Sequence, residues 1–128
     1  MDKQVSPEKE LQEAAEKVQE KDVADIVEKQ NSVETLIRKN SKLAKYLDDV
    51  KLLYSLLKDY MNGSYKTIPW YLIASITAAL IYVLNPVDII PDWIPVIGFM
   101  DDAAILSACM ALVKIELEKY TTWKKANP

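Results

Sequence analysis

From Thr67 to Val87 the chain runs for twenty-one residues without a charge, through IPWYLIASITAALIYVL, and then meets Asn85-Pro86. No other stretch restricts the fold as strongly. Pro69 suits the first turn of a helix, and Pro86 ends or kinks one. Residues 70–85 as an α-helix would reach roughly 24 Å, short of the roughly 30 Å apolar core of a bilayer, so the segment spans a membrane only with help from its flanks. Apolar side chains occupy nearly every side of it, and such a helix has to be buried in protein, in lipid or in both.

The next segment is the reverse in character. NPVDIIPDWIPVIGFMDD, residues 85–102, carries three prolines, a glycine and four aspartates with no basic residue among them. The prolines forbid a continuous helix, so the chain has to turn before a last helix that the pattern places at about residues 102–120. There Ala103, Ile105, Leu106, Cys109, Met110, Leu112 and Val113 make a broad apolar face, and Ser107, Ala111, Lys114 and Glu118 a narrow small-or-polar stripe. Two aspartates at the start of that stretch speak against a clean second transmembrane helix.

Before the uncharged stretch, residues 42–61 read as an amphipathic helix. Leu43, Tyr46, Leu47, Val50, Leu53, Tyr54, Leu57, Tyr60 and Met61 recur in steps of three and four, and Lys45, Asp48, Asp49, Ser55, Lys58 and Asp59 take much of the other side. Ser41 is placed to cap it, and Asn62-Gly63 to stop it. Residues 8–38 read as a charged helical segment with a thin apolar seam of Leu11, Ala15, Val18, Ile26, Val33 and Ile37, open to three readings: a solvated helix, a partner surface or a partly disordered tail. The architecture predicted is all-α: a helical hairpin with a Pro/Asp-rich connector, an amphipathic helix beside it or on a membrane surface, and a charged N-terminal extension. That divides the chain into residues 1–40 and a helical domain at 41–125. Two glycines in 128 residues agree with helices rather than with a turn-rich β fold.

Composition narrows the chemistry. The chain has no histidine, which excludes Ser-His-Asp and Cys-His catalysis and ordinary histidine-bearing zinc sites. Its single cysteine, Cys109, forms no intrachain disulfide and reads as a small core residue. The net charge of −3 is unevenly spread: negative before residue 40, positive over 40–66, negative over 67–113 and positive again from 114. Net-positive segments flanking a lysine-free stretch are what a hairpin with cytoplasmic ends requires, and Tyr65, Trp70 and Tyr71 at one end with Tyr82, Trp93 and Phe99 towards the other resemble the aromatic belts of a bilayer. They also suit large core fillers of a helical bundle, but the charge partition favours the membrane reading. No basic stripe interleaved with aromatics is present, so nucleic acid is not an expected partner. The charged start, MDKQVSPEKE, is not a secretory signal peptide.

The connector also carries a resemblance. Pro86, Asp88, Pro91, Asp92, Pro95, Gly98, Asp101 and Asp102 match, position for position, a pattern that resembles the signature of the bacterial YkvA family, a domain of unknown function. The likeness is clearest over residues 70–113 and extends to about residues 40–123. It implies a small, membrane-associated helical protein and carries over no catalytic activity. Two readings of the four aspartates stand. Asp101 and Asp102 can cap the last helix and favour its positive end, and the others can satisfy backbone N–H groups of a tight connection. Alternatively Asp88, Asp92, Asp101 and Asp102 converge on a hard cation, Mg²⁺ or Ca²⁺, with hydrolytic chemistry as an extension of that reading. The function expected is non-enzymatic: a membrane-associated interaction or scaffold protein at a bacterial cytoplasmic membrane, with lipid as one partner and the N-terminal helix as the element for a protein partner or self-association. The alternative is a cytoplasmic or peripheral cation-binding protein.

Overall fold

Ser6 opens the first helix as its cap: its Oγ accepts from the Lys9 N–H at 3.1 Å, and Pro7 stands at the first helical position. The computed structural model describes residues 6–84 and 102–128. Within them lie α1 (Pro7–Ala15), α2 (Glu20–Glu28), α3 (Gln30–Lys39), a short 3-10 turn (Ala44–Tyr46), α4 (Leu47–Met61), α5 (Trp70–Leu84) and α6 (Asp102–Ala126). The all-α reading holds, and there is no strand among the described residues.

The charged helical segment of residues 8–38 is built of three short helices. Gln19 ends the first break, where its N–H donates to Asp22 Oδ2 at 2.8 Å and starts α2. Lys29 makes the second, with a backbone conformation outside the helical region. These breaks let each short helix turn its apolar residues inward. Of the seam, Leu11, Ala15, Ile26, Val33 and Ile37 are buried and Val18 is half-buried against them, and Val23 joins them, so the seam packs within the chain's own core.

The amphipathic helix begins later than its pattern suggests. Ser41 caps nothing; Asn40 holds the turn instead, with Oδ1 accepting from the Lys42 N–H at 2.8 Å, and the α-helix proper starts at Leu47. Its end is as expected: Asn62 closes the helix and Gly63 takes a φ of +85°, a left-handed conformation that glycine adopts without steric cost. The stripe of Val50, Leu53, Tyr54 and Leu57 is buried, while Lys45, Lys51 and Lys58 are exposed.

α5 is the axis of the molecule. It packs against α1, α2, α3 and α6, and every residue from Ile73 to Leu80 is buried. Protein therefore encloses residues 73–80, the middle of the uncharged stretch. α5 is only fifteen residues, about 22 Å long. No helix among the described residues is long and apolar enough to cross a membrane. α6 runs longer than predicted, to Ala126, and closes the bundle against α1, α4 and α5. The Pro/Asp connector between α5 and α6 lies outside the described residues.

Candidate functional site

Of the four aspartates expected to hold a cation or cap a turn, Asp88, Asp92 and Asp101 lie outside the described residues. Asp102 stands in the first turn of α6, where a carboxylate is favoured by the helix dipole. No group of three or more Asp, Glu, Cys or His side chains is placed to hold a metal ion among the described residues. Cys109 is fully buried on α6, and burial pushes its thiol up to about 12, so it is protonated and unreactive at neutral pH.

The polar chemistry that is visible lies elsewhere, where α4 meets α6. Asp59 is buried in the last turn of α4, and its Oδ2 accepts from the Tyr120 hydroxyl at 2.6 Å and from Lys124 Nζ at 3.0 Å. The Tyr120 hydroxyl also bonds Ser55 Oγ, one helical turn before Asp59. Burial raises the Asp59 carboxyl, but hydrogen bonds from Tyr120 and Lys124, the Lys124 charge and a hydrogen bond from Asn62 outweigh it and hold the group below the usual carboxylate range. Tyr120 moves the other way, pushed up to about 12 by burial and by the carboxylate beside it. An ionised Asp59 carries no proton to donate as an acid, and its Oδ2 already accepts from two donors. It is an anchor, and the Tyr65, Tyr120 and Trp123 rings pack beside it with centroids 5.0–5.9 Å apart.

Sequence reasoning missed this centre. Asp59 and Ser55 sit on what the periodicity marks as the solvent side of α4, and only their partner on α6, sixty-one and sixty-five residues away in sequence, turns them inward. The spacing of Ser55 and Asp59, four apart on one face, is the single local signal. A second buried polar group was equally hidden: Glu10 on α1 is 4% exposed, and its Oε2 has no hydrogen-bond partner. Burial, then the charge of Glu13, raises its carboxyl to about 7 against the opposing Lys9.

Comparison with known proteins places the molecule. Residues 72–108, the greater part of α5 through the connector into α6, match the family described as "Protein of unknown function (DUF1232)". Over 89 residues, 70% of this chain and 82% of the relative, the chain is 39% identical to the "Uncharacterized membrane protein YkvA" of Bacillus subtilis (strain 168). The chain belongs to the YkvA family. The expected resemblance is thereby borne out, and the Pro/Asp block of the family falls inside the matched span. No solved structure gives a significant match. The YkvA relative's name ties it to a membrane, whereas the arrangement of α5 here is that of a core helix covered by its own chain.

Proposed function

We propose that this YkvA-family chain is a non-enzymatic helical module that works at the cytoplasmic face of a bacterial membrane as an interaction or scaffold protein, docked on the lipid surface with its bundle intact. The observation that carries the reading is the 39% identity to a relative named as a membrane protein. The mode of attachment is argued from α5. Spanning the bilayer would require stripping it of α1, α2, α3 and α6, exposing Leu11, Ile26 and Ile37 to water, and its length falls short of the apolar thickness. Surface docking needs no such rearrangement. The N-terminal helices have given their apolar faces to the core, so what they offer a protein partner is a charged outer surface.

Cell fractionation tests this directly. The full chain is expected in the membrane pellet at low salt and to be released by alkaline carbonate, as a docked protein is and an inserted one is not. Retention through the carbonate wash would mean lipid insertion. Recovery in the soluble fraction at low salt would overturn the proposal.

A further inference from the structure

We infer that the end of the bundle where α4 stops and α5 starts is the membrane-docking face: Met61, Trp70 and Tyr71 enter the headgroup region, and Lys58, Lys66 and Lys125 engage the phosphates of anionic phospholipids. The inference rests on the membrane reading above and adds to it the surface and the lipid chemistry. Among the described residues five large hydrophobic side chains are exposed, and they fall in two groups. Met61 (46% exposed) ends α4, and Trp70 (37%) and Tyr71 (42%) open α5. Trp70 lies 6.5 Å from Tyr60 between ring centroids, and Met61, Lys66 and Trp70 share one cleft with Glu20. Leu112 and Ile115 form the other group, on the outer side of α6.

The chemistry of the two groups differs, and that decides the occupant. Tryptophan and tyrosine favour the bilayer interface, where the ring is apolar and the N–H or O–H stays wet. The corner adds cations to them. Lys58 lies in the last turn of α4, and the side chain of Lys66 reaches to within 3.7 Å of where a Cβ on Gly63 would stand. The Lys124–Asp59 contact brings the end of α6, with Lys125, to the same end of the bundle. Against these stand Glu20 and Asp59, the latter already paired with Lys124. The chain as a whole carries −3, so a basic end on an acidic molecule orients it towards an anionic surface. By contrast Leu112 and Ile115 are aliphatic and sit among Lys114, Glu116, Glu118 and Lys119, a mixed set with no preference for anionic lipid. A second copy of the chain is a poor occupant of the corner, because three partly exposed side chains fall far below the roughly 800 Å² per partner of a stable interface.

Co-sedimentation of the full chain with vesicles tests the face. Vesicles of phosphatidylglycerol mixed with phosphatidylcholine are compared with phosphatidylcholine alone, using the wild type, a Lys58→Glu/Lys66→Glu/Lys125→Glu variant, a Met61→Ser/Tyr71→Ser variant and a Leu112→Ser/Ile115→Ser variant. Trp70 is left alone because it packs on Tyr60, and circular dichroism verifies that each variant keeps its helix content. The expected result is binding to the anionic vesicles only, weakened at least tenfold by the lysine reversals and severalfold by the Met61/Tyr71 change, and unaltered by the α6 change. Binding that ignores both corner variants, or that is lost with Leu112 and Ile115, overturns the assignment while membrane association stands. Membrane pelleting in cells without binding to either vesicle overturns it in favour of a protein receptor. A concentration-dependent dimer abolished by Met61→Ser/Tyr71→Ser overturns it in favour of self-association. A chain found with neither vesicles nor cell membranes overturns the broader membrane reading as well.

Discussion

Single buried polar groups set the conditions under which this bundle is stable. Tyr120→Phe removes the hydroxyl shared by Ser55 and Asp59 and leaves the buried carboxylate with one donor fewer, which should cost about 1–3 kcal/mol, read as a lowered urea midpoint with an unchanged slope. Asp59 has a depressed folded pKa, so its contribution is present above its unfolded value and is lost as pH falls through the folded one. Glu10 has the opposite sign. Its folded pKa is raised from 4.5 to about 7, so the folded state binds the proton more tightly; the contribution is full below pH 4.5 and gone once pH has risen through about 7. Thermal midpoints measured between those limits should fall with rising pH in the wild type, and Glu10→Gln should flatten that dependence and raise the midpoint at the alkaline end. A wild-type profile that rises over the same window would show Glu10 to be solvated in the folded chain. Neither group was legible in the sequence as a buried one. A carboxylate among lysines and glutamates on a charged helix has the pattern of a solvated residue, and only the tertiary neighbour reveals otherwise.

At the scale of the elements, the strongest patterns translated most directly. The uncharged run of α5 and the three-four spacing of α4 gave helix type and approximate place, and for α4 the buried stripe of Val50, Leu53, Tyr54 and Leu57, because each repeats one physical requirement over four turns. Helix ends were read less well. Ser41 has the right chemistry for a cap, but the chain turns at Asn40 and passes through a 3-10 turn before α4 can start. The seam of α1–α3 was visible residue by residue, while what covers it was not, since short charged helices bury their few apolar residues only when a larger apolar element is present to receive them. α5 is that element, and it carries one defect. Thr77 is fully buried, and its Oγ1 has no hydrogen-bond partner. Thr77→Val keeps the shape and removes an unsatisfied group, so it should stabilise the fold by about 1 kcal/mol, seen as a rise in thermal midpoint of a few degrees. A destabilised Thr77→Val would mean that the hydroxyl is bonded in solution.

For the molecule as a whole, the question is how far the bundle depends on its first helices. A division at residue 40 leaves a 41–125 unit whose central helix has lost α1, α2 and α3 from its surface. Leu11, Val23, Ile26, Val33 and Ile37 belong to the same apolar core as Leu53, Ile76, Leu80 and Val113. Even one of these contacts is substantial: Leu11→Ala should cost about 2–5 kcal/mol against a total stability of about 5–15 for a domain of ordinary size. Deleting residues 1–40 removes five such side chains at once and bares the apolar flank of α5. The truncated chain is therefore expected to lose cooperative thermal unfolding and to bind a hydrophobic dye such as ANS, while the full chain unfolds in a single transition. Lipid supplies the sharper contrast. If the bundle is the working unit, adding anionic vesicles to the truncated chain should not restore a cooperative transition, because a surface-docked protein draws its core from itself. Restoration by vesicles would mean that bilayer can stand in for α1–α3 on α5, and residues 41–125 would then be a domain completed by the membrane.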